Sequence, residues 1–166
     1  MSSLDLDRTP VLVGIGVANQ REDDFIKALE PIDLMIKAVE AAGVDTGITN
    51  VLSGAQWIAV PRGRWRYSNP AGEIARSLGA QNAISVLSSV GVLQQTLIGE
   101  ACGRISRGLS HTTLVAGSDA GWRLLRAKIT GEVVTERSEQ GSPDVLMEPK
   151  EELRNPVEKR AGLICP

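Results

Sequence analysis

The chain has 166 residues, 18 basic and 20 acidic, for a formal charge of -2, with 42% apolar and 23% charged side chains. That is long enough for one domain with a real core, and the composition is that of an ordinary globular protein. So even a charge balance supplies no electrostatic footprint for nucleic acid and no basic helix for a membrane surface. No apolar run reaches the length of a membrane span, and the acidic start from Met1 to Arg8 lacks the apolar stretch of a signal peptide, so a cytoplasmic location is expected. Two cysteines, Cys102 and Cys165, and a single histidine, His111, form no spaced cluster, so no metal site is expected.

In chain order, Pro10 to Gly16 is continuously apolar and β-branched, which predicts a short buried strand. Ile32, Met35, Val39 and Ala42 recur at helical spacing, with Pro31 suited to the first turn and Gly43 to the stop. A second strand is expected over 54–60, ended by Pro61. A polar aromatic loop over 62–70 follows, then a short helix from about Ala71 to Leu78 closed by Gly79. Residues 83–88 read as a third strand. Leu97, Ile98, Ala101, Cys102 and Ile105 form the apolar stripe of a helix from about Leu93 to Arg107. Residues 112–117 read as a fourth strand, and Trp122 opens a helix ending near Gly131.

Alternating strands and helices with short connections predict an α/β fold, βαβαβαβ, with a mostly parallel sheet and helices on both faces. Residues 1–130 are expected to form this domain. Residues 131–166 are rich in charge, Ser, Gly and Pro without a clear period, and are expected to be an irregular or truncated loop region.

Four stretches, taken together in order and spacing, resemble the thiolase superfamily and in particular its acetyl-CoA-acetyltransferase-like members. They are Thr9 to Gly16, Glu30 to Ala42, Gly91 to Gly108, and Leu114 to Ala120. The resemblance covers roughly residues 9–130 and implies the N-terminal half of a thiolase-like fold, usually dimeric. It implies that the strand carrying Ile84, Val86 and Ser88 lies at a dimer interface. It also places the nucleophilic cysteine at the N-terminus of the third stretch, where helix partial charge and free N–H groups favour a thiolate that attacks an acyl thioester. In this chain that position is Gly91, which has no side chain. The family's C-terminal histidine and second cysteine have no counterpart here. No catalytic residue is therefore expected, and classical cysteine-dependent acyl transfer by this chain alone is not.

The resemblance makes a coenzyme A thioester the expected ligand, with no other cofactor required. Gly91, Gln94 and Gln95 would line the vestigial pocket. Arg62, Arg64 and Trp65 could cradle a phosphate or stack on an adenine, although a solvated loop anchored by one aromatic explains the same residues. Gly14-Ile15-Gly16 resembles the start of a dinucleotide fingerprint, but Asn19 replaces the third glycine and no helix follows at once, so a tight turn is expected instead. Cys102 reads as a small buried hydrophobe. A homodimer or a companion subunit is expected. The competing functions are an acyl-CoA-binding protein, a non-catalytic scaffold subunit of a thiolase or of an OB-fold companion, and an inactive truncated product.

Overall fold

The computed structural model describes residues 6–137, 141–150 and 156–162. After a single turn of 3-10 helix at Leu6–Arg8, the elements are α1 (Pro31–Thr46), β1 (Trp57–Pro61), α2 (Pro70–Leu78), β2 (Ile84–Ser88), α3 (Gln94–Ser106), β3 (Thr113–Val115), α4 (Gly121–Thr130), β4 (Val145–Met147) and α5 (Pro156–Arg160). The sheet has four strands in the order β3-β1-β2-β4, and every pairing is parallel. This is the expected α/β architecture.

Period-2 alternation along β1 sends its side chains to opposite faces. Ile58 and Val60 join Ile32, Met35 and Val39 of α1 and Ile74 of α2 in one core layer. Trp57 and Ala59 face the other way, with Val86 of β2 and Leu97 and Ala101 of α3. The sheet is thus covered on both faces, α1 and α2 on one and α3 on the other. Fully burying a side chain such as Ile58 or Ile74 contributes roughly 2 kcal/mol.

Local signals set most helix ends. Glu30 accepts from the Asp33 backbone while the Asp33 carboxylate accepts from the Glu30 N–H, a reciprocal cap on α1. Asn69 caps α2 by accepting from Gly72 N at 2.9 Å, with Pro70 in the first turn. The expected stop of α1 at Gly43 is corrected. The helix runs to Thr46 and ends on Gly47, whose φ of 63° is left-handed. Gly43 instead gives Leu52 room to pack, since any Cβ there would meet the Leu52 side chain. The α3 stripe is narrower than read: Leu97 and Ala101 are buried, whereas Ile98 is 48% exposed and Cys102 only half-buried. The sheet surface beneath α3 accommodates one row of side chains from the helix, not two. Cys165 lies outside the described residues.

Three further expectations need correction. Residues 10–16 do not belong to the sheet. Gly14 and Gly16 also make no tight turn, since the chain shows no turn or bend there; both face α1 at a distance that leaves no room for a Cβ. Within the region read as irregular, Val145–Met147 forms β4 and pairs with β2. As a result β2, expected at an exposed edge, lies inside the sheet between β1 and β4.

Candidate functional site

In open parallel sheets, ligands bind beyond the carboxyl ends of the strands. The sequence-predicted residues gather at that edge, in the loops that follow β1 and β2. The backbone N–H of Arg62 donates to the Ser88 carbonyl at 3.0 Å, which ties the two loops together at their roots.

On the β2 side, Ser88 ends the strand and a turn leads into α3. Gly91 sits in that turn with φ of 102°, a conformation that L side chains rarely adopt. The chain thus passes from strand through a glycine turn into a helix, and Gly91 offers no side chain at that turn. The N-cap residue of α3 is Leu93, and no side chain caps the helix. The positive end of the α3 dipole and its first N–H groups therefore remain available to an oxygen ligand. Gln94 and Gln95 are exposed at this end. The Ser88 hydroxyl, in a residue only 1% exposed, has no hydrogen-bond partner among the described residues. It lies on the same strand face as Val86, the face α3 covers.

Past Arg62, the β1 loop leans toward β3. Arg64 makes a two-pronged ion pair with Asp119, Nε to Oδ2 at 2.8 Å and NH2 to Oδ1 at 3.2 Å, and the hydrogen bond to that carboxylate raises the guanidinium pKa. Trp65 is buried. Its Nε1–H donates to the Ser118 carbonyl at 3.2 Å, its ring packs on Tyr67 at 5.3 Å between centroids, and Arg62 lies over it at 5.7 Å. Trp65 anchors the loop, so its indole is not a free stacking platform. Tyr67 donates to Glu30 at 2.9 Å, and burial followed by that carboxylate neighbour pushes its phenol pKa up.

Sequence reasoning missed the opposite wall. Arg64, Trp65 and Arg66 line a groove of about 1130 Å³ with Leu124 and Lys128 of α4 and the segment 131–137. That segment is strapped down by Arg137, which reaches Asp33 at 2.5 Å and Glu30 at 3.5 Å. Burial opposes the charge of Arg137, but these carboxylates outweigh it and raise its pKa. The Arg66 N–H adds a bond to Glu136 at 2.7 Å. Partners so far apart in sequence leave no local pattern to read. The predicted residues thus divide: Gly91, Gln94 and Gln95 lie between the end of β2 and the first turn of α3, while Arg62, whose guanidinium donates to the Tyr67 carbonyl at 3.3 Å and lies over Trp65, stays with Arg64 and Trp65 in the β1 loop. Among the described residues, no group of three or more His, Cys, Asp or Glu could hold a metal ion, and no helix is long and apolar enough to cross a membrane.

No protein-family model matches the sequence, and no curated protein does. Among solved structures, the chain superposes on a protein described as a monomeric SCP2-thiolase-like protein type 1 from Mycobacterium smegmatis, with a TM-score of 0.51 and 25% sequence identity. The match covers 66% of this chain and 23% of that one. The fold is thiolase-like. This thiolase-like chain therefore corresponds to under a quarter of the length of the protein it matches. Shared architecture does not carry activity with it, so function rests on the site.

Proposed function

We propose that this chain is a thiolase-like acyl-CoA-binding protein of the acetyl-CoA-acetyltransferase-like kind, operating in the cytoplasm. In this reading residues 1–130 supply the N-terminal α/β half of the fold. One observation supports it: Gly91, at φ 102°, turns the chain from β2 toward an uncapped α3, where the resemblance puts the nucleophile. A thioester carbonyl oxygen placed there would meet helix N–H groups and a positive dipole end. Without a sulfur at Gly91 no acyl-enzyme forms, so the role is recognition of the thioester rather than cysteine-dependent transfer. The cationic rim of the groove at Arg66 and Lys128 would face the phosphates.

The test is isothermal titration of the full chain with acetyl-CoA and with a longer acyl-CoA, repeated on Gln94→Glu/Gln95→Glu. Acidic residues in a first turn favour the helix but repel an electron-rich oxygen at its N-terminus. Saturable binding, weakened about tenfold or more in the variant, is the expected result; a tenfold loss corresponds to about 1.4 kcal/mol. A folded wild-type chain that binds neither thioester refutes the reading.

A second reading has its own supporting observation. Leu93 is 70% exposed at the start of α3, and Ile98 is 48% exposed further along the same helix. Such apolar side chains suit a non-catalytic scaffold subunit that docks on a thiolase or an OB-fold companion. Unchanged folding with no thioester binding, together with stoichiometric capture of such a companion, would favour it.

A further inference from the structure

A second concavity lies at the other end of the sheet, where β1 and β3 begin. One wall is fixed by polar ties. The Gln56 N–H donates to the Thr112 carbonyl at 2.9 Å, and the Gln56 side-chain oxygen accepts from the His111 N–H at 2.5 Å. These bonds extend the pairing of β1 with β3 below the first paired residues, Trp57 and Thr113. Arg104 Nε–H donates to the buried Ser110 hydroxyl at 3.2 Å, which ties the end of α3 to the start of β3. The 3-10 turn Leu6–Arg8 and the residues after it form the opposite wall, and a cavity of about 400 Å³ lies between the two.

The lining of this cavity divides by chemistry. One part is aliphatic. Val11, Val13, Ile48, Val51 and Ile105 come together from three separate stretches of the chain. Val11 is 69%, Ile48 53% and Val13 49% exposed, so these branched side chains are left outside the core. Among the described residues no Phe, Tyr or Trp lines the cavity, so it offers dispersion contacts to an aliphatic chain and no broad surface on which a base could stack.

The other part carries both signs of charge. Asp7 and Arg8 are adjacent in the 3-10 turn, both are exposed, and both line the cavity. The Arg8 guanidinium passes over Gly108, where a Cβ would lie 3.5 Å from its Cζ. Gly108 follows the C-terminal end of α3, a place where the helix dipole favours a cation. The Thr112 and Thr113 hydroxyls on the facing wall can donate and accept.

We propose that this cavity binds a free α-amino acid with a branched aliphatic side chain. Its carboxylate matches the paired N–H donors of Arg8, its ammonium matches the Asp7 carboxylate, and its side chain covers the exposed aliphatic wall. Other small ligands satisfy only part of that lining. A simple aliphatic acid sets its charge beside Asp7 with nothing to offset the repulsion, and an aliphatic amine does the same beside Arg8. The cavity is at the small end of the range for ligand pockets, which suits a compact ligand. The proposal stands apart from the thioester reading, because the two regions lie at opposite ends of the strands.

The test is a titration of the full chain with L-leucine, followed by the amide resonances in two-dimensional NMR. Saturable shifts are expected at residues 7–13 and 105–113. Glycine, which lacks the side chain, 4-methylpentanoate, which lacks the ammonium, and 3-methylbutylamine, which lacks the carboxylate, are each expected to bind about tenfold more weakly or worse. Arg8→Gln and Asp7→Asn change exposed side chains, so both are expected to keep the dispersed spectrum of the wild type while losing L-leucine by a similar factor. A wild-type chain with no saturable shift overturns the proposal, as do saturable shifts confined to other residues. So does 4-methylpentanoate or glycine binding as tightly as L-leucine, or a folded Arg8→Gln chain whose affinity for L-leucine is unchanged.

Discussion

Residues 10–17 and residues 141–147 have exchanged the roles their compositions suggest. The first is an apolar, β-branched run with all the local preference of a strand, yet it enters no sheet. The second lies in a stretch dominated by charge, Ser, Gly and Pro, yet Val145–Met147 becomes β4 and pairs with β2 in register. The difference lies in what each segment meets. A strand is stabilised by partners for its backbone and by burial of a face, and propensity only biases that outcome. Residues 10–17 lie along a helix, which offers no ladder. Residues 141–147 are held against β2 by polar ties on its side chains and neighbours. Asn69 donates to the Ser142 carbonyl at 3.0 Å, and the Asp144 carboxylate accepts from the Ser85 N–H and hydroxyl, both at 2.7 Å. At the far end Ser89 N–H donates to the Met147 carbonyl at 2.8 Å.

The comparison breaks most sharply at Gly16. If close approach to α1 is what holds the apolar segment, Gly16→Val must push the two backbones apart, because the colliding atoms are main-chain atoms of α1 that cannot rotate away. Overpacking of this kind costs about 3 kcal/mol. Urea unfolding is expected to show that loss, and limited proteolysis is expected to cut near residues 10–20. An unchanged midpoint would mean that the segment contributes nothing to α1.

Asn69 tests the other side of the comparison. It caps α2, donates to Ser142 and reaches the Ser85 hydroxyl at 3.3 Å, all from one side chain 7% exposed. Asn69→Ala removes the cap of α2 and the tie to the Ser142 carbonyl, for about 2 kcal/mol. Hydrogen exchange is expected to speed up at residues 144–148 and in the first turn of α2 together. Acceleration in α2 alone would show that β4 does not depend on the tie.

These two sites also explain how far the sequence could be read. Helix caps are local, so Pro31 marks a helix start that the structure keeps, and the helix expected from about Ala71 begins one residue earlier, at Pro70, on the Asn69 cap. The parallel direction of the strands follows from alternating elements and is legible in the sequence, whereas their order β3-β1-β2-β4 is not, because it depends on where each crossover packs. The stop of α1 was misread because Gly43 and Gly47 are both plausible terminators, and only the packing of Leu52 tells them apart. β4 was invisible because its stability comes from Asn69 and Ser85, which lie far upstream. At the site, the resemblance picks out Gly91, and the structure puts it in the turn between β2 and α3. The pairing of Arg64 with Asp119, and the strap from Arg137 to Asp33 and Glu30, span more than fifty residues each, and no window of sequence contains them.

The smallest expected effect sharpens the comparison by adding pH. Two hydrogen bonds from Ser85, first its N–H and then its hydroxyl, favour the ionised form of Asp144 and hold its pKa below the usual carboxylate value of 3.8. A group whose folded pKa is depressed contributes stability that is present in full above its unfolded pKa. That contribution fades as pH falls from there through the lower folded value. The strand should therefore loosen only in the acid range, and neutral pH should leave it untouched. Asp144 is exposed, so screening by water keeps the contribution small. Asp144→Ala is expected to cost about 1 kcal/mol at neutral pH, the net worth of the lost hydrogen bonds. It is also expected to flatten the acid limb of a stability profile measured by urea titration between pH 2 and 7. Should wild type and variant fall in parallel below pH 4, the Asp144–Ser85 bonds would not be what docks β4, and the ladder to β2 would have to hold by its backbone bonds alone.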